Sequence, residues 1–452
     1  MLPFRSTVAG IAWPAIVSTP GATLLALLFQ LEQSQWLAPA ELAERQFRQL
    51  DVLAEFLWQN SPFYRECLSA AAWIPGRRFD AALWRELPIL KRATLQSCRT
   101  RLIVENSPKA HGRPVEYATT GSLGMPVRGL GNELTSFFAS ALIARNHLWQ
   151  RRDLSGKFAA IRSKVESRSH ADWGRVESAC FVTGPAAVLN SSVEVDSQLD
   201  WLQGEAPDYL LTHPVNLRSL LIRARERAVR VPSLRELSTF GAMLPVDLRA
   251  LAREVWQLPM SDIYSSEEFG NIALQCPENP GTYHVQAENL LVEIVDENGA
   301  PCAAGEIGRV LVSTLHNFTM PLLRYEIGDY AQAGAPCTCG RGLPVLARIA
   351  GRRRNMLRLS GGRSYWPSFP YEAIRPIAEF RQIQIIQHEV DTLEVRLVRA
   401  EPLSRETEQL LSAKLCEVLH GQFSIRYSYT ESMMPASGGK FEDFISLVGA
   451  GI

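Results

Sequence analysis

No apolar run in this chain of 452 residues reaches the ~18–20 residues that a bilayer-spanning helix needs. The most apolar stretch is the first thirty residues, with Val8-Ala9-Gly10-Ile11-Ala12-Trp13 and Leu24-Leu25-Ala26-Leu27-Leu28-Phe29, but Pro14, Pro20 and Gly21 interrupt it. It reads as an N-terminal arm packing on a core rather than as a signal peptide, which places the protein in the cytoplasm with no membrane partner. An excess of charge is missing too. Lys plus Arg and Asp plus Glu both number 47, so no global field draws in nucleic acid. Cysteine is scarce: eight residues in a chain this long exclude a disulfide scaffold.

What is present is ordinary for a globular protein, with 46% hydrophobic and 21% charged residues. The length predicts two or three domains. From Pro39 to about Leu68, apolar residues recur at three- and four-residue steps, and a proline stands at the helix start. Between 115 and 270, apolar runs trade with helical segments at 135–149, 214–230 and 245–255, the pattern of a layered α/β domain. From about 281 to 350, short runs such as Leu290–Val295 and 308–312, with an Asn298-Gly299 turn, predict a smaller β region. A tail follows, with an alternating run at 393–397 and a helix over 404–419. The expected division is a large domain over 1–350, with a helical arm at 1–110, and a mobile α+β lid over 351–452.

Four segments carry chemistry. Thr119-Thr120-Gly121-Ser122-Leu123-Gly124-Met125-Pro126 offers hydroxyls and free amides that can wrap phosphate oxygens, without the Gly-Lys-Ser/Thr of a P-loop. Asp262-Ile263-Tyr264-Ser265-Ser266-Glu267-Glu268 offers an aromatic ring for stacking and a carboxylate for Mg²⁺. Arg324-Tyr325-Glu326-Ile327-Gly328-Asp329 sets an acid after a glycine turn, where it can accept ribose hydroxyls. Pro435-Ala436-Ser437-Gly438-Gly439-Lys440 puts an ammonium on a glycine loop. Each alone is equally a surface turn or a strand end.

Together, in this order, they resemble the adenylate-forming superfamily of acyl-CoA synthetases, and within it the phenylacetate–coenzyme A ligase-like family. Ser61-Pro62-Phe63-Tyr64-Arg65, Leu87-Pro88-Ile89-Leu90-Lys91, the run 287–295 and the run 313–325 carry the same likeness. The resemblance implies an AMP-forming acid–thiol ligase that uses ATP and Mg²⁺ to make an acyl-AMP. The acyl group would then pass to coenzyme A or a carrier-protein phosphopantetheine, with an amine acceptor as the alternative. It implies that Thr119, Thr120, Gly121, Ser122 and Gly124 cradle phosphates. Gly241, Ala242, Tyr264, Ser266 and Glu267 would line the nucleotide pocket. Glu268 would bind Mg²⁺, Asp329 and Arg352 would hold the ribose, and Lys440 would stabilise the adenylation transition state. Gly361-Gly362 stands where relatives pass a pantetheine arm, and Arg354 at the hinge. Leu123, Met125, Ser265 and Arg354 depart from the family pattern, which keeps open a weakened, nucleotide-binding homologue. Phe181, Phe240, Met243 and Tyr264 suggest a pocket for an aromatic or hydrophobic carboxylic acid, or are equally core residues. An acyl carrier protein and a second copy of the chain stay open as partners.

Cys276, His284, Cys337 and Cys339 make a complete zinc set by residue type, although not at zinc-finger spacing. Four protein ligands close the coordination shell, so the expected role is a structural clip within 276–345, with Cys302 as a substitute ligand. A zinc hydrolase using Glu267 or Glu268 as base is the remaining reading.

Overall fold

The computed structural model describes residues 2–118, 127–174, 177–367, 371–433 and 442–448. The chain divides into two compact units. One holds the described residues up to 327 together with 331–349; the other holds 328–330 and the described residues from 350 onward. No helix among the described residues is long and apolar enough to cross a membrane.

The larger unit is built on a twelve-stranded sheet. Its heart is five parallel strands in the spatial order Ala186–Asn190, Phe158–Arg162, Tyr209–Thr212, Glu236–Phe240, Met260–Ser266. The order reverses beside Phe158–Arg162, the first of the five in the chain. Ligands of open α/β sheets bind at the carboxyl ends of such strands, near the reversal. The helices Val195–Glu205, Pro214–Glu226 and Leu248–Val255 connect these strands and share one apolar core with them.

The β region expected at 281–350 continues the same twelve-stranded sheet. A hairpin joins Met260–Ser266 to Gly270–Gln275, and antiparallel pairing runs on through Tyr283–Val285 and Val345–Arg352. Leu290–Val295 and Ile307–Thr314 extend the same sheet. The turn between those two strands has Gly299 at φ +86°, and Asp296 Oδ1 accepts from the amides of Asn298 and Ala300.

The helices follow their local chemistry. Glu133–Trp149 opens on Asn132, whose side chain accepts from the Thr135 amide while Thr135 Oγ1 accepts from the Asn132 amide. The helix expected over 39–68 is two helices, Pro39–Asn60 and Pro62–Ala70. Pro62 drives Ser61 out of the helical region, and Ser61 then caps the second helix through the Tyr64 amide. Thr19–Ser34 is helical although Pro20 and Gly21 look like breakers, because Pro20 sits in the first turn, where its missing N–H costs nothing, behind the Ser18 cap.

The smaller unit has its own core around Ile383, Ile385, Leu393, Val395, Leu397, Leu411 and Leu415. Its four-stranded sheet places Gln382–Glu389 and Thr392–Val398 centrally, flanked in parallel by Phe444–Ser446 and Ser424–Thr430. The helix Arg405–Val418 starts from the Ser404 cap.

One buried charge ties the central strands together. The side chain of Arg152 is 2% exposed and holds Glu236 with two bonds of 2.9 and 2.7 Å. It also reaches Ser238 Oγ at 2.6 Å, Ser261 Oγ at 3.1 Å and His147 Nδ1 at 2.9 Å. Burial, with the Arg152 charge beside it, holds His147 well below its ordinary pKa, so the ring is neutral and accepts. Removing one partner from such a cluster strands the other charge. Arg152→Met is expected to lower unfolding free energy by about 3–5 kcal/mol in denaturant titration, and adding Glu236→Leu to recover most of the loss.

Candidate functional site

The carboxyl edge of the parallel strands gathers several of the residues singled out by the sequence. Phe240 ends Glu236–Phe240, and Gly241 turns the chain away at φ +74°, a conformation that favours glycine. The Phe240 ring stacks on His213 with centroids 4.4 Å apart, and His213 Nδ1 lies 3.1 Å from the Phe240 carbonyl. The Arg162 guanidinium stands 5.9 Å from the centre of the Phe240 ring. Met243 follows, partly exposed. Phe181 does not belong with this group. It is buried against Phe4, in the cluster that seats the N-terminal arm, because its short bridge to Phe4 lies away from these strand ends.

The strand Met260–Ser266 carries Tyr264 and Ser266, and the turn after it carries Glu267 and Glu268. Tyr264 is 7% exposed and packs in a core that also holds Phe269 and Tyr325. Beneath it lies a buried acid that the sequence reading did not single out. Asp262 accepts from Thr239 Oγ1 at 2.5 Å and from the Tyr283 hydroxyl at 2.7 Å. Burial raises its pKa, while those two hydrogen bonds and Arg249 pull the other way. The bonds link the strands of Thr239, Asp262 and Tyr283, the last reached across Gly270–Gln275, and fix the backbone that leads to Tyr264.

In the smaller unit, Asp329 and Arg352, 23 positions apart, form an ion pair of 3.4 Å. Gly328 at φ +88° makes the turn that sets Asp329. Trp366 donates to the Arg352 carbonyl at 2.9 Å and packs on Tyr330. Arg354, a departure at the expected hinge, has a partner: it grips Glu442 at 3.0 and 2.7 Å, with both side chains largely buried. Glu442 escaped the sequence reading, although it stands two places after Lys440. Thr119, Thr120, Gly121, Ser122, Leu123, Gly124, Met125 and Lys440 lie outside the described residues.

The cysteine–histidine set comes together. The candidate ligand atoms of Cys276, His284, Cys337 and Cys339 all lie within 4.8 Å of one another. The Cys276 and Cys337 sulfurs are 3.9 Å apart, and Cys339 Sγ is 3.3 Å from His284 Nε2. Ligands of a tetrahedral zinc stand about 3.5–3.8 Å from one another, so the four atoms need little movement to hold one. Burial, then the Arg341 and Arg145 charges, bring His284 down to about 4, so its ring is neutral and free to coordinate near neutral pH. Burial pushes Cys276 up to about 11; at Cys339 the same effect is outweighed by hydrogen bonds from Arg341 and the other two thiols, which lower it. Asn279 Nδ2 donates to Cys337 Sγ at 3.0 Å. Arg341 lies between the Trp36 and Trp149 rings, 4.9 and 4.8 Å from their centres, and binds Gln35 at 2.9 Å. The loop bearing Cys337 and Cys339 is thereby fastened to the end of the first helix. Cys302 is not in this set; its sulfur sits against Gly308.

The CapK C-terminal domain family matches residues 370–446. The chain is 27% identical over 409 residues to a phenylacetate-coenzyme A ligase of Thermus thermophilus, covering 85% of this chain and 88% of that protein. It is 25% identical over 408 residues to the Escherichia coli K12 phenylacetate-coenzyme A ligase, covering 84% and 86%. The fold is similar to that of 2-hydroxyisobutyryl-CoA ligase with a bound acyl-AMP, with a TM-score of 0.72 at 16% identity over 92% of this chain and 91% of that one. Sequence likeness along most of its length makes the chain similar to the phenylacetate-coenzyme A ligases, and it shares the fold of the adenylate-forming 2-hydroxyisobutyryl-CoA ligase.

Proposed function

We propose that the protein activates a small carboxylic acid with ATP, forming an acyl-AMP and pyrophosphate, and then passes the acyl group to a thiol, with coenzyme A as the favoured acceptor. The observation that carries the reading is the Asp329–Arg352 pair, two residues to which the family resemblance assigns the ribose and that meet at 3.4 Å. The likeness to phenylacetate-coenzyme A ligases along most of the chain supports it.

The chemistry asks the protein mainly to position and to neutralise charge. Glu268, on the turn after a buried strand, is the carboxylate to hold Mg²⁺ against the phosphates, and the 119–124 loop supplies donors around them. Asp329 accepts from ribose hydroxyls, with Arg352 paired beside it. Lys440 offsets the charge that grows as the acid attacks the α-phosphate. The metal's contribution is to polarise the phosphate oxygens. The apolar surface of Phe240 and Met243, with His213 behind Phe240, suits an aromatic or hydrophobic acid. Cys276, His284, Cys337 and Cys339 hold a structural zinc in this reading, closing the sheet end onto the first helix.

ATP–pyrophosphate exchange across aryl, aliphatic and amino acids, with hydroxamate trapping, tests the first step; no exchange with any acid would defeat it. Lys440→Ala is expected to lower adenylation about 100-fold or more with an unchanged melting temperature. Replacing coenzyme A with an amine in the second step, and finding amide, would move the acceptor assignment. Metal analysis is expected to find one zinc per chain, and Cys339→Ser to lose it and melt at lower temperature; zinc-free wild-type protein that melts alike with and without chelator contradicts the clip.

A further inference from the structure

Two strands, Pro114–Ala118 and Arg128–Asn132, form the hairpin that flanks the Gly/Ser/Thr-rich loop. Tyr117 pairs with Gly129 across it. The phenol lies flat over that glycine, and any Cβ at 129 would overlap the end of the Tyr117 ring. The packing directs the hydroxyl inward, where it is buried and makes no hydrogen bond among the described residues. A buried hydroxyl without a partner costs about 1–3 kcal/mol, so such a group persists where something else engages it.

The surroundings say what that partner is. Burial first, then the Glu268 carboxylate and the Tyr325 phenol, push Tyr117 above the ordinary phenol range, while Arg99 pulls it down. Tyr64 is also within electrostatic reach of Tyr117, but its own hydroxyl is spent on the Pro321 carbonyl at 2.5 Å. Tyr117 thus presents a buried hydroxyl without a partner among the described residues, two residues before the loop assigned to the phosphates, with the Glu268 carboxylate within electrostatic reach. A metal-bound anion at Glu268 is the acceptor this place lacks.

We propose that Tyr117 positions the nucleotide by donating its hydroxyl hydrogen bond to a β- or γ-phosphate oxygen of ATP held at Glu268. The inference rests on the ATP-dependent reading above and assigns a role to a residue outside the family's motif segments. Phenylalanine keeps the ring over Gly129 and removes only the oxygen. Titration calorimetry with Mg·ATP, magnesium pyrophosphate and AMP, on wild type and Tyr117→Phe, tests it. The variant is expected to bind Mg·ATP and pyrophosphate roughly tenfold to a hundredfold more weakly, as for a lost hydrogen bond to a charged group, and AMP within threefold of wild type. Its ligand-free melting temperature is expected to equal or exceed that of wild type, because an unsatisfied buried oxygen has gone. Unchanged Mg·ATP affinity, equal weakening of AMP, or a lower ligand-free melting temperature would each overturn the proposal. Failure of the wild-type protein to bind Mg·ATP would instead strike at the function itself.

Discussion

The larger unit depends on one desolvated guanidinium. Arg152 binds Glu236 and Ser238 on one strand and Ser261 on the next, and His147 closes the cluster from the preceding helix. These contacts lie at the start of the strands, whereas Phe240, Gly241, Tyr264 and Glu268 lie at or beyond their ends. Fixing the register at one end fixes the other, because a pleated strand cannot slip by one residue without turning every side chain over. Charge buried this deeply adds little net stability against a well-packed apolar alternative. Its effect is to allow one arrangement of neighbouring strands and so to give the carboxyl edge a fixed geometry.

A second layer of order comes from the far side of the same sheet. Asp262 joins Thr239 and Tyr283, so the strand that carries Tyr264 is tied to the strand that carries His284. The cysteine–histidine set then ties that strand to the loop at 337–339, and Arg341 ties the loop to the first helix through Trp36 and Gln35. The first helix, the sheet and the cysteine–histidine set thus form one continuous chain of contacts. In the smaller unit, Asp329 with Arg352 and Arg354 with Glu442 play the matching part around the segment that follows residue 350.

Local chemistry was the legible part of the sequence. The helix at 133–149, the helix at 405–418 and the Asn298-Gly299 turn declare themselves through periodicity and capping residues, which act over three or four positions. The four metal-type residues were legible by kind, although 63 positions separate the first from the last (339 minus 276). What was hidden depends on distance or context. Arg152 and Glu236 are 84 positions apart, and nothing near either one announces the other. The merging of the 281–350 strands into the main sheet depends on pairing between segments whose patterns look alike whichever sheet they join. Pro20 reads as an interruption and Pro62 disappears inside one helical pattern, yet each stands in the first turn of a helix. Phe181 passed for a pocket residue because an aromatic beside a strand looks the same whether it faces a ligand or another ring.

The hairpin before residue 133 has a consequence for inheritance. Because the ring at 117 occupies the space that any side chain at 129 would need, position 129 cannot drift alone. A lineage that acquires even alanine at 129 must first surrender the tyrosine, and one that shrinks residue 117 lifts the restriction on its neighbour. A substitution at 129 should therefore follow one at 117 and never precede it, leaving a directional trace among descendants of this gene.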